Sequence, residues 1–343
     1  MAKVMLAMSG GVDSSVAAQL MQQAGFDCIG ATMVLCSDAG VLDAKAVADR
    51  LHIPFYSFDH TEDFNRLVIE DFIGCYEQGG TPNPCVTCNK KIKFDVLLQR
   101  ALQMGCDCLA TGHYARILRE NNRFLLYKAK DPGKDQSYFL ACLNQHQLSH
   151  TLFPLGELTK EQVRQIAEAQ SFVTAKKKDS QDICFIPDGD YKAFMERYTG
   201  RTYPGGDYLN QSGQVVGHHQ GAVGYTIGQR KGLGIALGEP AYVVDKNMAQ
   251  NTVTLGKNED LFRTTLLADN WNFIPFDTLE KPLQVKARVR YRHTEQPATV
   301  YPMENGLAKV VFAEPQRAIT TGQAVVLYDG DMVIGSGTIQ KVL

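Results

Sequence analysis

The apolar run Val4-Met5-Leu6-Ala7 leads straight into Met8-Ser9-Gly10-Gly11-Val12-Asp13-Ser14-Ser15 and then into Val16-Ala17-Ala18-Gln19-Leu20-Met21. This succession spells a strand, a glycine turn and a helix start. Two adjacent glycines let the backbone turn sharply and approach a ligand closely, and a helix opening at Asp13, Ser14 and Ser15 presents free N–H groups that attract an anion. An ordinary tight turn between strand and helix needs one glycine and a cap, not two glycines followed by an acid and a hydroxyl pair. The segment therefore predicts a cradle for a phosphate-bearing ligand.

Its spacing is neither the G-x-x-x-x-G-K-[ST] of the Walker loop nor the G-x-G-x-x-G of dinucleotide folds. The order S-G-G-x-D-S resembles the PP-loop of ATP pyrophosphatases, which release pyrophosphate and leave AMP on their substrate.

Up to about residue 115, short apolar strands (4–7, 28–34, 54–58, 108–110) alternate with helical spacing (14–24, 43–51, 62–78, 91–104), and helical spacing returns at 145–152 and 160–170. Such alternation predicts a doubly wound parallel sheet with ligands at the carboxyl ends of its strands, near the first loop and near Thr111-Gly112-His113-Tyr114. Beyond about residue 198 glycines cluster and helical periodicity fades. The last 75 or so residues alternate polar and apolar positions between turns, as in Gln284-Val285-Lys286-Ala287-Arg288-Val289-Arg290-Tyr291. The expected architecture is α/β: a Rossmann-like nucleotide-binding unit over 1–198, a small β-rich central unit over 199–262, and an antiparallel β-barrel over 263–343.

A chain of 343 residues suits two or three domains, and 44% hydrophobic with 21% charged residues describes a globular protein. The apolar runs are far short of a membrane span and the first strand begins too early for a signal peptide, so no membrane association and a cytoplasmic location are expected. A net charge of −2 gives no global case for nucleic acid. Binding of that kind would rest on local patches: Lys90, Lys91 and Lys93; Lys176-Lys177-Lys178; Arg288, Arg290 and Arg292. Each patch taken alone also reads as a solvated face.

Nine cysteines in such a chain point to thiols, metal ligation or redox catalysis rather than a disulfide scaffold. Thr81-Pro82-Asn83-Pro84-Cys85-Val86-Thr87-Cys88 carries a C-x-x-C just before a helix, beside Lys90, Lys91 and Lys93, where thiol pKa values are expected to fall. Cys184 stands in the polar, acidic stretch Asp179-Ser180-Gln181-Asp182-Ile183-Cys184. Cys28, Cys75, Cys106, Cys108 and Cys142 read as small buried hydrophobes. Cys36, after the second strand, is open between the two roles. Cys106-x-Cys108 has the wrong spacing for the second half of a zinc site. Three cysteines can instead hold a [4Fe–4S] cluster with one iron left open.

Motifs spread over essentially the whole chain resemble the bacterial tRNA-specific 2-thiouridylase family. They include Ser9-Gly10-Gly11-Val12-Asp13-Ser14-Ser15, Thr81-Pro82-Asn83-Pro84, Cys88-Asn89-Lys90, Ala110-Thr111-Gly112-His113-Tyr114, Lys134-Asp135-Gln136-Ser137-Tyr138-Phe139, Ile183-Cys184-Phe185-Ile186 and Thr226-Ile227-Gly228-Gln229-Arg230. The glycine loop alone would also fit GMP, argininosuccinate and lysidine synthetases. The resemblance implies that ATP, with Mg²⁺, adenylates O2 of the wobble uridine (uridine 34) of a tRNA anticodon stem-loop, after which sulfur displaces AMP at C2. Cys88 would be the nucleophile and Cys184 the persulfide carrier, ending as a disulfide. A sulfurtransferase or cysteine desulfurase would supply the sulfur. By the same resemblance Ala7, Met8, Ser9, Gly10, Gly11, Val12, Asp13, Ser14, Met33 and Gly112 line the ATP site, with Asp13 catalytic. His113, Lys134, Asp135, Gln136, Arg290, Tyr291 and Gln323 would contact tRNA.

Two departures stand out. The better-known members carry an aspartate where this chain has Cys85, and the segment after the second strand is the short Met33-Val34-Leu35-Cys36-Ser37-Asp38. With Cys85, Cys88 and Cys184 as candidate [4Fe–4S] ligands, a cluster route carrying hydrosulfide and a metal-free persulfide route are both open at this level. So are a non-catalytic tRNA-binding module and another adenylating enzyme.

Overall fold

The computed structural model describes residues 1–175, 177, 183–236 and 238–343. The polar stretch before Ile183 and two of the lysines in Lys176-Lys177-Lys178 lie outside the described residues.

Strands β1 (Lys3–Ala7), β2 (Asp27–Val34), β3 (Phe55–Asp59) and β4 (Cys108–Thr111) pair in parallel. An antiparallel hairpin of β5 (Arg116–Glu120) and β6 (Arg123–Tyr127) follows, and β7 (Thr151–Leu152) then joins the parallel sheet to give the order β3-β2-β1-β4-β7. The chain runs outward from β1 through β2 to β3, then returns to lay β4 on the other side of β1. The order therefore reverses between β1 and β4, where the crevice at the carboxyl ends of the strands opens. The helices Val12–Gln23, Val41–Arg50, Thr61–Glu77, Pro84–Gln103 and Lys160–Ala169 accompany the sheet. Val4 and Met5 are fully buried, as a central parallel strand covered on both faces requires.

The helix expected over 91–104 begins earlier, at Pro84. Asn83 caps it by accepting from the Val86 amide at 3.4 Å, and proline occupies a position where a missing N–H costs nothing. Cys85 and Cys88 thus lie in its first turn rather than before it. From Asn89 to Leu97 this helix is wound as a π-helix, a form that is rare and concentrated at functional sites.

The central unit is a four-stranded sheet of β8 (Gly206–Leu209), β9 (Val215–His219), β10 (Tyr242–Asn247) and β11 (Thr252–Gly256), in the order β10-β11-β8-β9. Six further strands form the barrel: β12 (Phe262–Phe273), β13 (Leu283–Arg288), β14 (Gln296–Pro302), β15 (Ala308–Arg317), β16 (Ala324–Asp329) and β17 (Met332–Val342). β12 pairs with both β15 and β17 and closes the barrel, removing the free edges that would invite aggregation.

The α/β unit and the barrel share a core. Met5, Leu109 and Phe94 pack in one continuous cluster with Val326, Tyr328 and Val333 of the barrel, and β6 meets β17 at Tyr127 and Met332. Among the described residues no helix is long and apolar enough to cross a membrane.

Candidate active site

The first half of the site is the loop after β1. Gly10 takes φ +70°, and a Cβ there would collide with the Gly40 carbonyl oxygen, so the loop can lie against its neighbour only as glycine. Gly11 caps the helix Val12–Gln23 without any side-chain hydrogen bond. Ser14 and Ser15 turn their hydroxyls back to the Gly11 carbonyl at 3.1 and 2.8 Å and so away from the anion-attracting end of the helix.

Gly112, in the turn after β4, lies directly on the first turn of that helix: a Cβ on it would sit 2.7 Å from the Asp13 carbonyl carbon and the Ser14 nitrogen. Replacing Gly112 by alanine is therefore expected to push the two loops apart, costing about 1–3 kcal/mol. It should also raise the KM for ATP, as thermal melting and a pyrophosphate-release assay would show.

Asp13 is held by groups distant in the chain. Lys160 Nζ donates to both of its carboxylate oxygens at 2.7 and 2.9 Å, and the Tyr114 hydroxyl donates at 2.7 Å. Lys160 stands at the start of its helix behind a capping box of Thr159 and Gln162, and its own amide donates to Asp131. Lys177 Nζ reaches the Gly10 carbonyl at 3.0 Å and Asp43 at 2.7 Å. Two cations thus flank the glycine loop, each paired with a carboxylate, Asp13 or Asp43. Lys160 carried no motif, and only its contact with Asp13 reveals it.

The second half contains thiols. Cys88 is buried in an apolar cluster with Phe64, Phe72, Ile92 and Ile186, and burial pushes its thiol up to about 11 against the pull of Lys93. Cys85 is exposed over its residue surface, yet desolvation of the thiol again outweighs Lys93 and its pKa is raised. The lowering expected from the helix start and the lysines is thus reversed at both cysteines, because the helix turns Cys88 toward apolar side chains. Cys184 is exposed, and a hydrogen bond with Cys36 and burial of the thiol raise its pKa.

Lys93 acts on Cys85, Cys88 and Cys184 alike, always favouring the thiolate. Lys93→Met is expected to raise all three pKa values, so iodoacetamide alkylation should need a more alkaline pH than in the parent protein. An unmoved pH profile would remove Lys93 from the thiol chemistry.

Among the described residues no three His, Cys, Asp or Glu side chains stand together in a group able to hold a metal ion. Cys184 nonetheless raises the pKa of both Cys85 and Cys88, so the three thiols lie within electrostatic reach of one another.

The residues expected to contact tRNA fall into two groups. His113 is wedged between Phe94 and Phe153 at ring separations of 5.6 and 6.0 Å, and burial followed by the charge of Lys93 holds it neutral, well below the usual imidazole range. Asp135 points inward: it accepts from the Ala129 and Ser137 amides and the Ser137 hydroxyl and faces Arg288 at 3.6 Å. Gln136 accepts from the Tyr114 amide, whereas its neighbour Lys134 is only partly buried.

Arg290, Tyr291 and Gln323 belong to the seam between barrel and α/β unit. Arg290 donates to the Ile227 carbonyl and the Thr320 hydroxyl, with its buried Nε left without a hydrogen-bond partner. Tyr291 packs on Phe139 at 4.4 Å, and Gln323 donates to the Thr81 and Pro82 carbonyls at 2.9 and 3.0 Å. Beside this seam lies a cleft of about 800 Å³ lined by Asn83, Thr87, Lys90, Lys91 and Gln340, among others.

A phosphate-binding loop and a set of thiols on the carboxyl edge of one parallel sheet define a nucleotide-using enzyme with sulfur chemistry. Residues 2–188 match the family described as "tRNA methyl transferase HUP domain", residues 192–257 the "tRNA methyl transferase PRC-barrel domain" and residues 263–339 the "Aminomethyltransferase beta-barrel domain". The chain is 48% identical over 356 residues to the tRNA-specific 2-thiouridylase MnmA of Clostridioides difficile, covering 99% of both chains. It is also 48% identical over 355 residues to the MnmA of Clostridium perfringens, again over 99% of both. The chain belongs to the tRNA-specific 2-thiouridylase family. Among solved structures, a 4-thiouridine synthetase–RNA complex with bound ATP aligns at 16% identity and a TM-score of 0.38, over 54% of this chain and 45% of that one.

Proposed function

We propose that this protein is an ATP-dependent tRNA sulfurtransferase that replaces O2 of the wobble uridine with sulfur. The observation that carries the reading is the shared edge: the loop after β1, suited to a triphosphate, and Cys36, which follows β2 and touches the Cys184 segment, lie at the carboxyl ends of two paired strands. Adenylation turns a poor oxygen leaving group at C2 into AMP with release of pyrophosphate. The helix N-terminus, Lys160 and Lys177 favour the phosphates, and Asp13 supplies a carboxylate suited to the magnesium that accompanies ATP.

The sulfur arrives as a persulfide on Cys184, passed from a partner sulfurtransferase or cysteine desulfurase. In the reading carried by the family motifs, Cys88 attacks the Cys184 sulfur, hydrosulfide is freed to displace AMP, and a disulfide remains to be reduced. The tRNA is suited to the cleft at the barrel seam. Lys90 and Lys91, which line it, would meet its phosphates there, and Arg290 and Tyr291 stand behind it in the seam.

The test is reconstitution. Purified protein, ATP, tRNA transcript and a persulfide donor are expected to yield 2-thiouridine at the wobble position together with AMP and pyrophosphate, read by mass analysis of nucleosides. Pyrophosphate release without 2-thiouridine would instead favour another adenylating enzyme, and neither product would favour a binding module.

A further inference from the structure

Cys36 lies outside every role assigned so far. It follows β2 by two residues, is exposed, and donates from Sγ to the Cys184 carbonyl at 3.8 Å. The contact is held in place by apolar packing on both sides. Leu35 joins the cluster that contains Ile183, Phe185 and Ile186, and the Phe185 ring meets Phe64, Phe72 and Phe194 edge-on or tilted at 5.6, 5.3 and 5.2 Å. The backbone on either side of Cys184 is thereby anchored against the end of β2, and the two thiols are within hydrogen-bonding reach of one another. Cys88, by contrast, is packed among apolar side chains.

We propose that Cys36 is a further catalytic residue, the thiol that attacks Sγ of a persulfidated Cys184 and frees its terminal sulfur. The step balances without an external oxidant. The Cys36 thiolate forms the Cys36–Cys184 bond, the Cys184 S–S bond breaks, and the terminal sulfur leaves as hydrosulfide with its electron pair. The two cysteine sulfurs are oxidised to a disulfide as the sulfane sulfur is reduced. A dithiol reductant then restores both thiols. The inference rests on Cys184 as the sulfur carrier, and it gives to Cys36 the attacking role that the family motifs give to Cys88.

In the resting dithiol the hydrogen bond from Cys184 lowers the pKa of Cys36, outweighing burial and the charge of Cys88. Once Cys184 carries a persulfide its Sγ has no hydrogen to donate, and it is the nearness and exposure of Cys36 that recommend it. Cys88, held near 11, exposes little thiolate at neutral pH.

The experiment loads the full-length protein with inorganic polysulfide, without tRNA or ATP, and follows sulfide release and non-reduced peptide masses. The expected result is a linked pair of peptides containing Cys36 and Cys184, formed as sulfide appears. In Cys36→Ser, sulfide release should fall at least about tenfold while sulfane sulfur stays on Cys184. In Cys88→Ser the Cys36–Cys184 linkage should still form, and circular dichroism of both variants checks their fold. Linkage only between Cys88 and Cys184, unchanged release from Cys36→Ser, or no sulfane sulfur on Cys184 would each overturn the proposal. Thiolation of tRNA is scored separately, so its failure would leave these readings intact.

Discussion

Asp13→Asn is expected to lower pyrophosphate release at least about 100-fold, because it removes the charge from the one carboxylate of the glycine loop while keeping its shape. The carboxylate lies in the first helical turn, where phosphates are drawn, and positions Lys160 through two short contacts and Tyr114 through a third. Neutralising it loses affinity for a hard cation and leaves the Lys160 ammonium with weaker acceptors. Lys160 is largely buried and Asp13 about a third exposed, so the stability cost of the weakened pair is about 1–2 kcal/mol, toward the lower end for partnered charges. Thermal melting separates the two effects. A folded variant that still releases pyrophosphate within about twofold of the parent rate would remove Asp13 from the adenylation step.

Cys184→Ser is expected to have the opposite profile. Formation of 2-thiouridine should fall by about three orders of magnitude or more, while ATP-dependent pyrophosphate release survives, because the missing atom is a carrier of sulfur and not part of the nucleotide cradle. Cys184 is exposed, and its flanking Phe185 and Ile186 supply the packing, so the melting temperature should move by no more than about a degree. Nucleoside mass analysis and a pyrophosphate assay on one preparation read both halves. Normal 2-thiouridine formation by this variant would place the sulfur on another cysteine.

What could be read in the chain and what could not divide along sequence distance. The strand, paired glycines and helix start between Val4 and Met21 are local chemistry, so the cradle was legible, as were the parallel sheet and the alternating barrel strands. The hairpin of β5 and β6 falls outside the strand–helix alternation, and its local mark is Asn121-Asn122, both at positive φ in the structure. Lys160 lies 147 residues from Asp13, and Cys36 lies 148 from Cys184. No periodicity encodes such meetings; topology makes them. The thiol pKa values went the other way because lysines are visible in a sequence and desolvation is not. Cys88 stands beside Lys90 and Lys91, yet the helix aims it at Phe64 and Ile92.

Gln323 of the barrel grips the carbonyls of Thr81 and Pro82, the pair directly preceding the Asn83 cap of the helix that bears Cys85 and Cys88. The first turn of that helix is therefore fastened from outside the unit to which it belongs. A load applied to the barrel, such as the docking of a large polyanion across the seam, pulls directly on the peptide that sets the position of both cysteines. The barrel is thereby coupled to the thiol helix by a polar clasp, in addition to the apolar core that it shares with β1 and β4.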